Sequence, residues 1–264
     1  MNFLSRKSFA LSVFISIAVS ACGGGGGGSS GGGTSGGGNP VVNASPGGIW
    51  SGTNTATGLP VLGLVSENGL GHFLQQDGVQ YFGNVTTSGN NVTANYTGVV
   101  PYGSSFVDGS LSGTGTITGT IVERSSLSLQ TSFKTAAGNS SSGTMNLTFN
   151  PLYNLDSSLA TIAGNWRDPD TLAVINVNSN GVVFAQDNVS GCVVNGQIGI
   201  INSNYNAYTV SYTYSSCRGF YSSLNATTAT GLGALDNSVS PNVFIIGVTN
   251  NVARYSFIGR YPKI

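Results

Sequence analysis

The stretch Asp156-Ser-Ser-Leu-Ala-Thr-Ile-Ala-Gly-Asn-Trp166 divides this chain into two halves. Asp156 or Ser157 can cap a single helical turn, Leu159 and Ile162 fall on one face of that turn, and a glycine ends it. On both sides lie long segments of short, alternating apolar runs punctuated by glycine, a pattern typical of β-strands. The stretch therefore predicts a short helical turn that joins two β-rich modules.

The two halves open with the same order of residues. Gly-x-Trp stands at residues 48–50 and again at residues 164–166, and these hold the two tryptophans of the chain. An Asn-Gly pair, which strongly favours a hairpin turn, follows at residues 68–69 and 180–181. We infer that the second half repeats the layout of the first.

Composition and alternation together indicate the fold class. Charged residues make up 7% of the 264 residues, where an ordinary soluble domain has roughly 25%. We predict an all-β chain of two antiparallel, up-and-down, calycin-like β-barrel modules with about eight strands each, over residues 48–154 and 155–264. Closure removes exposed sheet edges, which a chain with so few charges has little means to protect. A single large sandwich, with the helical turn packed across it, is the alternative.

Residues 1–22 have the pattern of an export signal. Arg6 and Lys7 form a positive start, and the apolar run that follows is shorter than the ~20 residues that a transmembrane helix needs. The run ends in Val19-Ser-Ala-Cys22, which resembles the lipobox of bacterial lipoproteins. The resemblance implies cleavage before Cys22, a diacylglycerol thioether on its sulfur, and acylation of the new amino terminus, as with palmitate. A plain secretory signal with a coincidental cysteine is the alternative.

A flexible tether follows the lipobox and is assigned to residues 23–47. Every residue from Gly23 to Gly38 is glycine, serine or threonine, without the Gly-Lys-Ser/Thr ending of a phosphate-binding loop. A coil of this composition has a root-mean-square span of roughly 25–30 Å, so the folded part is free to stand off a membrane. Because Gly23 rather than an aspartate follows Cys22, the lipoprotein resemblance points to the outer membrane.

Cys192 and Cys217 are the only other cysteines. An exported protein meets oxidising conditions, which favour a disulfide. Cys192 begins one predicted strand and Cys217 ends the next, so an antiparallel hairpin brings them together. We predict a structural disulfide that contributes about 3 kcal/mol of stability. The spacing is not the Cys-x-x-Cys of a redox-active pair.

The titratable residues predict no catalytic site, no metal site and no cofactor. His72 is the only histidine, and no Gly-x-Ser-x-Gly motif supplies a nucleophile for it, so we assign it to the barrel wall. A zinc site with one histidine would require three carboxylates. Metal binding through oxygen at Asp168-Pro-Asp170 is the alternative to the turn that such a sequence usually forms.

The remaining acidic residues also fit turns and strand ends. Asp77 and Asp187 each follow a glutamine at the end of a predicted strand, where turns favour aspartate. Glu67 lies in a predicted hairpin turn and Glu123 at a strand end. Nothing in the sequence marks the paired carboxylates that glycoside hydrolysis requires.

The second half resembles a recurrent domain of proteobacterial lipoproteins that has no assigned function. The residues that carry the resemblance span most of residues 155–264: Ser157-Ser-Leu-Ala160, Gly164-Asn-Trp166, Asn180-Gly181, Gly191-Cys192, Asn195-Gly196, Tyr205-Asn-Ala-Tyr208, Cys217 and Gly231-Leu232. This resemblance implies a β-barrel-like fold at the surface or in the periplasm, and it implies no activity. More distantly, the two Gly-x-Trp openings and the late Arg260 resemble those of lipocalins and other calycin barrels.

These observations favour a non-catalytic binding or structural lipoprotein, attached to the outer membrane by the lipid on Cys22, with an unknown partner. A lipocalin-like carrier of a small apolar ligand is the alternative, and an enzyme is the least favoured class. A barrel of about eight strands either fills with side chains or holds one small ligand, so a cavity would distinguish these functions. Nucleic acid is a poor partner, because nine basic residues balance nine acidic ones and no basic cluster follows Lys7.

Overall fold

The computed structural model describes residues 42–250 and 255–264, so Cys22, the export signal and most of the tether lie outside it. Within the described residues the chain is all-β, and its sixteen strands form one continuous sheet. The predicted fold class is confirmed, because the strands curl into barrels rather than into the two stacked layers of a sandwich.

The first eight strands close into a barrel, here called the first barrel. Each strand pairs antiparallel with the next along the chain, and the eighth returns to pair with the first. The strands are β1 (Gly48–Asn54), β2 (Leu59–Val65), β3 (Leu70–Gln75), β4 (Gln80–Ser88), β5 (Asn91–Pro101), β6 (Ser112–Val122), β7 (Ser126–Thr135) and β8 (Ser140–Asn150).

The last eight strands repeat this up-and-down order and are here called the second barrel. Neighbours along the chain again pair antiparallel, and the first and last strands meet at a bridge between Trp166 and Lys263. The strands are β9 (Gly164–Arg167), β10 (Val174–Val177), β11 (Val182–Gln186), β12 (Val193–Ile200), β13 (Tyr208–Ser215), β14 (Thr228–Asp236), β15 (Val243–Asn250) and β16 (Tyr255–Pro262).

The predicted helical turn is present as α1 (Leu159–Ile162) between the barrels. Its cap is Ser158, one residue later than predicted, whose hydroxyl accepts a hydrogen bond from the Thr161 amide at 3.1 Å. Ser157 does not cap, because its hydroxyl donates to the Asn202 carbonyl. Two short 3-10 helices are also present, Pro151–Asn154 after β8 and Gly219–Leu224 between β13 and β14.

The two tryptophans occupy equivalent places in the two barrels. Both indoles are buried, and each Nε1 donates to the carbonyl four residues earlier: Trp50 to Pro46 at 3.2 Å and Trp166 to Ile162 at 2.9 Å. This shared bond satisfies the one polar group of each ring in an apolar surrounding. The repeated residue order therefore corresponds to a repeated local structure.

The two Asn-Gly turns are equivalent as well. Gly69 and Gly181 have φ angles of +86° and +77°. A β carbon on either glycine would lie 2.3 Å from a backbone oxygen, that of Val85 in the first barrel and that of Ile198 in the second. Only glycine fits these turns. Other residues rarely adopt a positive φ angle, and a β carbon would also collide with the neighbouring strand.

The barrels pack against each other through outward-facing residues. A shared apolar cluster contains Ile49, Leu64 and Leu74 from the first barrel together with Ala207, Leu232, Ala234 and Ile245 from the second. Gln80 Nε2 donates to the Val248 carbonyl at 3.0 Å, and Ser256 Oγ donates to the Gly78 carbonyl at 2.6 Å. The start of β16 also pairs with the end of β5 in parallel. The barrels consequently share buried surface in addition to their covalent connection.

Arg124 forms a second link between the barrels. Its guanidinium pairs with Glu67 at 3.0 Å and lies 4.5 Å from the ring centroid of Tyr205. The same guanidinium lies 5.2 Å from the ring of Tyr153, which belongs to the connecting segment. Arg124 therefore contacts three separate parts of the chain, through the carboxylate of Glu67 and the rings of Tyr153 and Tyr205.

Candidate functional site

The second barrel contains an internal cavity whose lining includes Trp166, at the end of the barrel where α1 lies. Ile162 and Trp166 pack there against Tyr208 and Phe244, with the Trp166 and Phe244 rings 5.8 Å apart. Lys263 Nζ lies 5.3 Å from the Trp166 ring and donates to the Thr161 carbonyl. The tryptophan therefore forms the floor of the barrel.

Lys263 is the cation that lies over this tryptophan, whereas Arg260, the late arginine of the calycin resemblance, lies 3.9 Å from Asp236. The reason is strand alternation. The side chain at position 260 points away from the barrel interior that Phe257 and Tyr261 face, and the chain end at 263 reaches the tryptophan instead.

The cavity has a volume of about 210 Å³. Most of its lining is apolar, as contributed by Val177, Val183, Val210, Leu224 and Ile246. An apolar cavity of about 150 Å³ is large enough to bind benzene, and sites for drug-sized molecules begin at roughly 300 Å³. The space therefore suits a ligand larger than one aromatic ring and smaller than a typical drug.

The two barrels differ at a cross-strand pair beside this space, which is Gly63 and Phe73 in the first barrel and Ile175 and Ala185 in the second. Counted from the Asn-Gly turn, Phe73 of the first barrel and Ala185 of the second occupy the same position on equivalent strands. Both residues are buried on the inward face. Phe73 packs in the apolar core of the first barrel, whereas Ala185 lines the cavity of the second.

The disulfide lies beside this cavity. Cys192 and Cys217 are bonded, as predicted, and Cys192 contributes to the lining. The bond joins the residue before β12 to the segment after β13. It therefore fixes two of the loops at the end of the barrel opposite α1, here called the loop end.

Two aspartates at the loop end line the cavity. Asp168 Oδ1 accepts hydrogen bonds from the amides of Asp170 at 2.8 Å and Thr171 at 3.0 Å. Asp187 accepts from the Val189 amide at 2.9 Å and from Ser190. The predicted turn roles are thus confirmed. The sequence did not reveal that both carboxylates also face one cavity.

Three tyrosines form a polar group within the cavity lining, and of these Tyr212 and Tyr214 are buried and Tyr261 is half-buried. Burial, together with the neighbouring tyrosine, raises the pKa of Tyr212 well above its ordinary value. Burial likewise raises the pKa of Tyr214 and of Tyr261, with Asp168 adding to both shifts. All three hydroxyls are therefore neutral at physiological pH and present hydrogen-bonding groups in an apolar wall.

His72 lies in β3, in the wall of the first barrel, as predicted. It is 3% exposed, and its Nδ1 lies 2.5 Å from Gln80 Oε1. Gln80 in turn bonds the Val248 carbonyl of the second barrel. Burial lowers the pKa of His72 to about 4. The imidazole is neutral at pH 7 and belongs to the contact between the barrels.

Two acidic residues that the sequence did not pair are brought together in the structure. Ser45 donates its amide to Glu123 at 3.0 Å and its hydroxyl to Glu67 at 2.5 Å. Glu67 is also the partner of Arg124. Both carboxylates hold the segment that leads into β1, so the pairing that sequence reasoning missed is one that fixes the start of the first barrel.

Residues 42–250 and 255–264 contain no group of three or more histidine, cysteine, aspartate or glutamate residues placed to hold a metal ion. Nor does this part of the chain include a helix with the length and apolar character to span a membrane.

Comparison with known proteins adds no relative. No protein-family model matches the chain, and no curated protein matches its sequence significantly. The lipoprotein and calycin resemblances therefore rest on the residues quoted above.

Proposed function

We propose that this chain is a lipid-anchored protein of the outer membrane that binds a small, largely apolar ligand inside its second barrel and catalyses no reaction. The cavity of about 210 Å³ carries this proposal. A barrel of eight strands that served only as a structural module would gain stability by filling its interior, because empty apolar space costs free energy. The lipocalin-like carrier is thus favoured over the purely structural module.

The anchoring part of the proposal depends on the sequence pattern that ends in Cys22. Cys22→Ser should cause a precursor to accumulate that is neither lipidated nor processed. In a phase-partitioning assay this variant should no longer partition into the detergent phase. Unchanged partitioning of the variant would contradict the anchor. This assay is independent of ligand binding, so each half of the proposal is tested separately.

The binding part is tested by filling the cavity. Ala185→Phe adds a ring to the lining, so the free volume falls. Because Ile175 stands beside Ala185 where the first barrel has Gly63 beside Phe73, the melting temperature of the variant is measured first to verify that it folds. The probe is 2-naphthol, an apolar bicyclic molecule with one hydroxyl, followed by its fluorescence on titration with the protein. We expect saturable binding to the natural sequence and at least about a tenfold loss in Ala185→Phe, which corresponds to roughly 1.4 kcal/mol.

A matched control lies on the same strand. Gln186 is exposed and faces away from the cavity, so Gln186→Phe adds the same ring outside the barrel. Its affinity for 2-naphthol should equal that of the natural sequence. Equal losses in both variants, or binding that persists in Ala185→Phe, would place the probe elsewhere and refute the cavity as the binding site.

A further inference from the structure

We propose that the ligand of the second-barrel cavity is a small organic cation, with an ammonium group at the loop end and an aromatic or branched apolar body. This inference rests on the proposed binding function and adds the charge and polarity of the ligand. It is carried by the sign of the lining charges, by hydrogen-bond acceptors without partners, and by the aromatic rings at the same end.

The charges that line the cavity are negative. Among the described residues, the only charged side chains in the lining are Asp168 and Asp187. Of the basic groups near the cavity in the described part of the chain, Lys263 donates to the Thr161 carbonyl at the end where α1 lies, and the Arg218 side chain lies against Gly191 outside the lining. Asp168 and Asp187 are half-buried, and carboxylates at the edge of an apolar space favour a cation and disfavour an anion.

Two polar groups at this end retain hydrogen-bonding capacity. Both turn amides bond to Oδ1 of Asp168, and no hydrogen bond from residues 42–250 or 255–264 reaches its Oδ2. The hydroxyl of Tyr261 lines the cavity, and no described residue bonds to it. Both residues are half-buried at the edge of the cavity, and a carboxylate oxygen and a hydroxyl there can each accept from an N–H donor of the ligand.

Aromatic rings stand beside these groups. Tyr212 and Tyr214 meet edge to face with centroids 5.3 Å apart, and Phe257 lies 5.4 Å from Tyr214. Tyr221, from the segment between β13 and β14, completes the aromatic part of the loop end. A cation within about 6 Å of a ring face is attracted by the ring quadrupole, most strongly where water is excluded. Carboxylate, hydroxyl and ring faces together fit an alkylammonium or arylalkylammonium group.

The test compares three molecules that share one apolar body and differ in charge. Purified protein is titrated calorimetrically with 2-phenylethylamine, 2-phenylethanol and 3-phenylpropionate. We expect the amine to bind at least about tenfold more tightly than the alcohol, and the carboxylate to bind most weakly. Equal or tighter binding of the alcohol would overturn the cation assignment and leave the apolar-ligand function standing. Failure of all three to bind would count against both.

Asp168→Asn supplies the matched variant. An asparagine keeps the Oδ1 acceptor that caps the turn and removes only the charge, so the fold should be retained, as its melting temperature will verify. Affinity for the amine should fall about tenfold while that for the alcohol stays constant. Asp170→Asn makes the same charge change in the same loop at an exposed residue outside the lining, and should have a smaller effect. Equal effects of the two variants would refute a direct contact with Asp168.

Discussion

Acidification should destabilise this protein through its single histidine. The pKa of His72 is 6.5 in an unfolded chain and about 4 in the folded protein, where burial opposes the charged form. Between these values the unfolded chain binds a proton and the folded chain does not. Stability is therefore complete above pH 6.5 and is lost as the pH falls toward 4.

The size of the effect follows from the same two values. Each unit of difference corresponds to about 1.4 kcal/mol, so the full loss is about 3 kcal/mol, of which about 2 kcal/mol falls between pH 7 and pH 5. Carboxylates contribute mainly below this window, because their ordinary pKa values lie near 4. The interval from pH 7 to pH 5 therefore isolates the histidine.

Urea unfolding at pH 7, 6 and 5 measures this loss directly. The free energy of unfolding should fall by about 2 kcal/mol between the two extremes in the natural sequence. His72→Gln removes the titrating group and keeps an amide that can bond Gln80, so its stability should change by less than about 0.5 kcal/mol over the same range. This role of His72 would be refuted if the natural sequence were equally stable at pH 7 and pH 5. It would also be refuted if the free energy of unfolding of His72→Gln fell with pH as steeply as that of the natural sequence.

The remaining predictions concern the two barrels. Trp166→Ala should cost about 3–5 kcal/mol and accelerate hydrogen exchange first in the second barrel, and Trp50→Ala should do the converse; equal acceleration throughout would show one cooperative unit. Reduction of the bond between Cys192 and Cys217 should lower stability by about 3 kcal/mol and weaken 2-naphthol binding, because it frees the loops beside the cavity; unchanged binding in the reduced protein would contradict that role.

Local patterns made the fold predictable. The Asn-Gly pairs at residues 68–69 and 180–181 specify turns whose backbone angles only glycine adopts easily, and the structure has both turns. Tyr208, Tyr212 and Tyr214 alternate with polar residues along β13, and the structure buries all three. Such features are determined by residues a few positions apart, so they can be predicted from the sequence alone. The cysteine pair was predictable for the same reason, since one hairpin brings the two residues together.

Contacts between the barrels were not predictable. Gln80 and Val248 are separated by 168 positions, and nothing in either segment indicates the other. The same holds for Arg124 and Tyr205, because nothing in either segment indicates that the guanidinium lies over that ring. These contacts depend on how one barrel is oriented on the other, and that orientation is determined by the sum of many weak apolar contacts. The separation into two independent modules over residues 48–154 and 155–264 thus stays a prediction.

The cavity shows that a repeated layout does not imply a repeated interior. Both barrels begin on a buried tryptophan with the same hydrogen bond, yet the first has Phe73 beside Gly63 where the second has Ala185 beside Ile175. Empty apolar space in a barrel normally costs stability, because the side chains around it lose contacts. The disulfide at the loop end offsets such a cost by restricting the unfolded chain, and it occurs in the barrel that contains the cavity. A stabilising bond in the hollow barrel is therefore consistent with the proposed binding function.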